Sequence, residues 1–252
     1  MRMAMVTEPE ASLITIDNQK IPFKHGQTIM DAALAAGIYI PHLCHFPGIT
    51  PHGNCKLCTV EVNGKPVTAC TTLATTGQKI RNDTVELNEA RKSLTQMLFI
   101  EGNHICPSCE KTGNCPLQAM AYHLGMLEGH YPQQHPVREV DASHPTIMLD
   151  RDRCILCSLC VRASREVDGK NVFAIAGRGI DARLIVNTPS GKLIDSDIEV
   201  GDLAAKICPV GAILIKERGY DVPIGQRIFD QHRISEIGLE NEIVKRAPSD
   251  DP

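Results

Sequence analysis

The chain has 252 residues, of which 42% are hydrophobic and 22% charged, and a formal net charge of −4. This is the balance of a soluble globular protein of one to three small domains, and its negative charge argues against nucleic-acid partners. No apolar run reaches the ~20 residues that cross a bilayer, so membrane insertion is not expected. The N-terminus, Met1-Arg2-Met3-Ala4-Met5-Val6-Thr7-Glu8, lacks an apolar core of signal-peptide length. A cytoplasmic location, where thiols stay reduced, is therefore the expectation. The eleven cysteines are an odd number and cannot all pair as disulfides. They fall into groups of four, three and four. That arithmetic points to three four-ligand sites with one ligand that is not cysteine.

Residues 1–82 open with a strand over Ser12–Ile16, a turn at Asp17-Asn18-Gln19 and a returning strand over Lys20–Phe23. Pro22 confines the second strand to an edge or an end. Thr28 and Asp31 have capping-box spacing ahead of a helix through Met30–Ala36, which Gly37 stops. A loop then carries Cys44, Cys55 and Cys58. A hairpin of Thr59–Val62 and Pro66–Thr68, turned at Asn63-Gly64, leads to Cys70. Hairpin, helix, ligand loop and hairpin is the order of the β-grasp fold of plant-type ferredoxins. Those carry Cys-x4-Cys-x2-Cys and a distant fourth cysteine. Here the first gap is ten residues and the last is eleven. Cys44, Cys55, Cys58 and Cys70 are the candidate [2Fe–2S] ligands, with zinc the competing metal. His42, His45 and His52 lie in the same loop as surface or supporting residues.

Residues 83–146 begin with a helical stretch over Thr84–Ile100, with Leu87, Ala90/Arg91, Leu94 and Met97/Leu98 at stripe spacing. Cys106, Cys109 and Cys115 come next, then a second helix over Leu117–Leu127. Three thiolates leave one iron corner to fill. His104 is the nearest candidate, since imidazole binds iron. His123, Glu110 and an open iron are the rivals, and an open iron would allow hydratase-like chemistry. Gly129–Pro145 has the composition of a connector.

Residues 147–225 contain Cys154-Ile-Leu-Cys157-Ser-Leu-Cys160, answered by Cys208-Pro209. Three cysteines two residues apart wrap one face of a cubane, and the distant fourth closes it. A short helix through Glu166, paired strands over Asn171–Ala176 and Ala182–Val186, a helix over Ile198–Ile207 and a final strand to Ile215 complete this part. Gly177-x-Gly179-x-x-Ala182 resembles a dinucleotide fingerprint, but the residues after it have a strand-like pattern rather than a helical one, so it is rejected. Residues 226–252 are a polar tail with one amphipathic piece, Ile234–Val244.

Across nearly its full length the chain resembles the N-terminal iron–sulfur region of the large subunit of respiratory complex I, a region shared with many [FeFe]-hydrogenases. The matching pieces are Pro41-His-Leu-Cys44, Gly53-Asn-Cys55-x-x-Cys58, the His-plus-three-Cys segment, Cys154-Ile-Leu-Cys157-x-x-Cys160-Val-Arg162, Gly177-Arg-Gly179 and Cys208-Pro-Val-Gly-Ala212. A chain of this length is similar to the small diaphorase subunit of cytoplasmic NAD-reducing [NiFe] hydrogenases. The resemblance implies an α+β architecture in three parts: a β-grasp [2Fe–2S] domain, a small helical His/Cys domain and a ferredoxin-like [4Fe–4S] domain. It implies one [2Fe–2S] cluster and two [4Fe–4S] clusters. His104, Cys106, Cys109 and Cys115 would hold one cubane; Cys154, Cys157, Cys160 and Cys208 would hold the other. The family has three residues between that histidine and the next cysteine, whereas here there is one. The implied partners are a flavin- and NAD-binding diaphorase large subunit and the [NiFe] hydrogenase small subunit. The equivalent wire of an NAD-dependent formate dehydrogenase is the alternative, and a zinc-stapled scaffold is the alternative of a different class. No catalytic site is expected on this chain alone.

Overall fold

The computed structural model describes residues 12–134 and 137–238. β1 (Leu13–Ile16) and β2 (Gln19–Pro22) pair through a turn in which Asp17 and Asn18 both have positive φ. α1 (Ile29–Ala35) starts at a reciprocal capping box. The Thr28 hydroxyl accepts from the Asp31 N–H at 3.1 Å, and the Asp31 carboxylate accepts from the Thr28 N–H at 2.9 Å. β3 (Thr59–Val62) and β4 (Lys65–Thr68) join at Asn63-Gly64, φ +48° and +82°, the two left-handed residues of a twisted hairpin turn. β5 (Lys79–Arg81) has no counterpart among the predicted strands. It is only three residues long and two of them are basic, yet it completes a sheet of order β2-β1-β5-β3-β4, parallel to β1 and antiparallel to β3. The two prolines of this sheet, Pro22 and Pro66, lie on its two edge strands, where a missing N–H removes no ladder bond. Ile14, Ile16, Val60 and Ile80 pack beneath α1 with Met30 and Ala33.

α2 (Val85–Glu101) is capped by the Thr84 hydroxyl, which accepts from the Leu87 N–H. Its inner face departs from the predicted stripe. Leu94 and Leu98 pack inward, but Met97 is 48% exposed, while Arg91, Thr95 and Gln96 are buried. The reason is the neighbour: at Arg91 the helix meets loop backbone, whereas Leu94 and Leu98 meet the apolar core. Arg91 donates to the carbonyls of Leu57, Thr59 and Asn82 and to the side chains of Asn82 and Asn88, all at 2.8–3.0 Å. Leu57 and Thr59 flank Cys58, so this guanidinium holds a cluster loop from behind. Arg91→Met is expected to destabilise the protein by about 3 kcal/mol, because it strands buried carbonyls. Urea denaturation measures this; a loss under about 0.5 kcal/mol would mean that water satisfies those carbonyls. α3 (Pro116–His123) is shorter than predicted and ends near Gly125, φ +63°.

The remaining residues form a sheet of order β10-β7-β6 and a separate hairpin. β6 (Val140–Asp141) arises inside the stretch expected to be a connector, and β7 (Ile147–Asp150) comes after it. The buried Asp141 carboxylate accepts from the N–H groups of Ser143 and Leu193, which ties β6 down. Then come α4 (Leu159–Glu166), the hairpin β8 (Phe173–Ala176) and β9 (Arg183–Val186), α5 (Leu203–Lys206), β10 (Ile213–Ile215) and α6 (Ile228–Gln231). The predicted helix over Ile198–Ile207 shrinks to α5. It starts where the Asp168 carboxylate, at the end of α4, accepts from the Leu203 and Ala204 N–H groups. Gly177 lies in the β8–β9 connection at φ +80°, with the Asp181 carbonyl where a Cβ would stand. No α-helix opens at this glycine turn, which agrees with rejecting the dinucleotide fingerprint. The amphipathic piece Ile234–Val244 lies partly outside the described residues; its first residue, Ile234, is buried in the main core.

Candidate metal-cluster sites

All eleven cysteines are free thiols. The first set sits where the α1–β3 loop meets the end of β4. Gly53 (φ +67°) and Lys56 (φ +56°) fold the loop back so that Cys55 faces Cys44. The Cys55 N–H points at the Cys44 sulfur at 3.3 Å, and the Cys58 and Cys70 sulfurs lie 3.3 Å apart. The set is therefore two pairs, Cys44/Cys55 and Cys58/Cys70. Two irons bridged by sulfide, each needing two thiolates, match that pairing. Cys44 is drawn down to about 6, first by the Cys55 thiol and against its own burial, with the Arg162 charge assisting. Cys58 is drawn down to about 7, first by the Cys70 thiol. His42 and His45 are buried, 1% and 3% exposed, so they support the loop from inside; His52 is exposed. His42 Nδ1 lies 2.7 Å from the Ile40 carbonyl.

The second set surrounds a cavity of about 300 Å³ lined by His104, Cys106, Cys109 and Cys115, with Phe99 and Leu117 as apolar walls. Cys106–Ser108 is a single 3-10 turn with Pro107 in its first turn, which lets Cys109 N–H reach the Cys106 carbonyl. His104 Nε2 is buried without a hydrogen-bond partner. Such an atom is costly unless something occupies the space before it. Burial, helped by the Arg153 charge, lowers its pKa to about 4, which keeps the imidazole neutral and able to bind metal. The two rival side chains have other contacts. Glu110 pairs with Arg153, and His123 packs edge-on to Tyr39 with ring centroids 5.4 Å apart. Gly102 backs the imidazole so closely that a Cβ there would overlap Nε2 at 2.4 Å.

The third set lines a cavity of about 330 Å³ with Cys154, Cys157, Cys160 and Cys208, walled by Ile155, Leu184, Val210 and Ile213. Leu156 (φ +52°) and Ser158 (φ +55°) are left-handed, a strained state for leucine. These two reversals turn the three cysteines of the run inward. Burial raises Cys154 to about 11 and Cys157 and Cys160 well above the usual thiol range. Metal binding at such thiols must displace their protons. Among the described residues no three His, Cys, Asp or Glu side chains converge to suit a single ion. Donors spread around a shared pocket suit a polynuclear group, whose ligands attach at separate irons.

The three sets touch, and not in chain order. The Asn54 side chain, beside Cys55, donates to Ser158 Oγ at 2.6 Å and toward the Cys157 carbonyl at 3.4 Å. On the other side, Cys115 Sγ lies 3.6 Å from the Pro209 carbonyl, next to Cys208. A Cβ on Gly211 would stand 3.0 Å from Cys109 Sγ, so glycine lets the two loops close. Arg153, adjacent to Cys154, reaches Cys109 Sγ at 3.7 Å and pairs with Asp150 and Glu110. The Cys154 set is therefore central. Arg153, Arg162 and Gly211 were given no role from sequence. Arg162 and Gly211 stood inside the pieces that carry the resemblance, and Arg153 only next to a candidate ligand.

Comparison with known proteins agrees with this division. Residues 12–85 match a 2Fe-2S iron-sulfur cluster binding domain, residues 91–130 the NADH-ubiquinone oxidoreductase-G iron-sulfur binding region, and residues 147–215 a 4Fe-4S single cluster domain. The fold and these matches define a multi-cluster iron–sulfur subunit related to the large subunit of complex I. The NADH-ubiquinone oxidoreductase 78 kDa subunit of Candida albicans is 31% identical over 209 residues, and the NADPH-Fe(3+) oxidoreductase subunit alpha of Geobacter sulfurreducens is 33% identical over 205. The chain spans only 28% and 24% of the length of those two. The NAD-reducing hydrogenase HoxS subunit gamma of Cupriavidus necator is 40% identical over 230 residues, covering 91% of this chain and 97% of that one. A chain in a crystal structure of an NAD+-reducing [NiFe]-hydrogenase in the H2-reduced state superposes with a TM-score of 0.89 at 47% identity, covering 92% of this chain and 98% of its own length. The protein belongs to the family of gamma subunits of NAD-reducing hydrogenases. Among the described residues no helix is long and apolar enough to cross a membrane.

Proposed function

We propose that this chain is the electron relay between a [NiFe] hydrogenase small subunit and a flavin- and NAD-binding diaphorase large subunit in the cytoplasm. Cys44, Cys55, Cys58 and Cys70 hold a [2Fe–2S] cluster. His104, Cys106, Cys109 and Cys115 hold one [4Fe–4S] cluster, and Cys154, Cys157, Cys160 and Cys208 hold the other. Residues 1–82, 83–146 and 147–225 form the three cluster-bearing parts, and 226–252 the tail. When bound, the clusters supply one-electron transfer, and the protein supplies position and electrostatics. Phe99 and Leu117 give the His104 site apolar walls, and Leu184, Val210 and Ile213 do the same at the central site. Asn54 and Ser158 on one side, and Pro209 and Gly211 on the other, hold the outer sets against the central one. The observation that carries this reading is the contact of all three donor sets in one series, with the Cys154 set in the middle.

Anaerobic isolation of the complex tests it. The expected preparation is brown, contains acid-labile sulfide and brings down a nickel-containing subunit. Recovery with a molybdenum- or tungsten-containing subunit in place of nickel would favour a formate dehydrogenase. A colourless preparation rich in zinc would leave only a scaffold.

A further inference from the structure

Arg162 is fully buried, yet its guanidinium meets no carboxylate within ion-pair distance among the described residues. Its acceptors are all main-chain carbonyls. Nη2 donates to Cys44 at 2.6 Å and to Cys157 at 3.2 Å, Nη1 donates to Thr50 at 2.7 Å, and Nε donates to Ser158 at 3.2 Å. Glu166 is the nearest acid in the sequence, but its carboxylate is taken by the Arg165 side chain and the Thr50 N–H. Burying a cation without a counter-charge is unfavourable. The compensating charge must come from what the two loops carry. Cys44 belongs to the [2Fe–2S] set and Cys157 to the central [4Fe–4S] set, and an iron–sulfur site with four thiolates is net anionic.

We infer that Arg162 is a positioning residue shared by two clusters: one guanidinium clamps the Cys44 loop to the Cys157 loop and sets both reduction potentials with the same charge. This rests on the ligand assignment of the proposed function. A cation stabilises the reduced, more negative form of each neighbour, so it raises both potentials together. The His104 site has its own cation, Arg153, which is neutralised by Asp150 and Glu110. That site serves as the internal control.

The test is a potentiometric titration of the assembled complex, monitored by electron paramagnetic resonance, in the unmodified protein and in Arg162→Met and Arg162→Lys. Arg162→Met is expected to weaken reduction at both the [2Fe–2S] and the central [4Fe–4S] centres by about tenfold, or about 59 mV for a one-electron couple. The His104 centre should move less than about threefold, about 28 mV by the same constant. Arg162→Lys keeps the charge and should return both midpoints to within about threefold of the unmodified protein. If Arg162→Met loses clusters, iron and sulfide analysis should show the [2Fe–2S] and central centres lost together, with the His104 centre retained. A shift or loss at one site only, an equal shift at all three, or a lysine variant shifted as far as methionine would overturn the inference. Absence of the three centres from the unmodified complex would instead overturn the ligand assignment.

Discussion

Cys157→Ala is expected to break the relay in the middle and to have the largest effect of any single cysteine replacement. Its set touches both of the others, so no path between the outer two sets bypasses it along these contacts. Hydrogen-linked NAD+ reduction by the complex should fall to background. The loss should also be structural. Metal sites contribute folding free energy, and losing one is among the few single changes that exceed about 4 kcal/mol. Cys157 is 8% exposed and packs in the same core as Leu149, Phe173 and Ala212. The two effects separate by measurement. Iron content should drop by about four per chain, the composition of one cubane, and thermal unfolding of the variant should begin earlier. Retained hydrogen-linked turnover would show that electrons pass directly between the outer sites.

Replacing His104 gives the second large effect, and here the sign is informative. A neutral imidazole leaves a cluster less negative than a fourth thiolate would, which raises its potential, as histidine ligation does in Rieske centres. His104→Cys should therefore keep a cluster at the Cys106 set and lower its midpoint by on the order of 100 mV. His104→Ala should lower its occupancy. Gly102 sits against the imidazole, and Phe99 lies 5.5 Å from it centroid to centroid, so the smaller cysteine fits the space. An unchanged midpoint in His104→Cys, with iron content intact, would move the fourth ligand to another group.

Much of the donor chemistry was legible before any fold was known. Ligand spacing is local: the three cysteines proposed to hold one face of a cubane lie within the seven residues Cys154–Cys160. Counting also made His104 a candidate, because eleven cysteines fall one short of twelve ligands. The structure adds the orphaned Nε2 in the same cavity as Cys106, Cys109 and Cys115. Capping also read correctly at Thr28, since those bonds span three residues.

Long-range features were less visible. The inner face of α2 looked like an apolar stripe, but Arg91 is its anchor, because the surface it meets is loop backbone with carbonyls to satisfy. β5 carries too little β propensity to be seen alone and forms because β1 and β3 flank it. The connector gained β6 through Asp141 reaching Leu193, 52 residues away.

Spacing within short loops and the count of thiols were enough to read three iron–sulfur stretches and their cluster types, which the family matches bear out. The order of those stretches in space is a product of packing. The last set along the chain became the middle one because Arg162 reaches the Cys44 carbonyl 118 residues back, and Cys115 reaches Pro209 from 94 residues away. Contacts at that separation arise from packing and the need to satisfy buried polar groups, and no local pattern of residues encodes them.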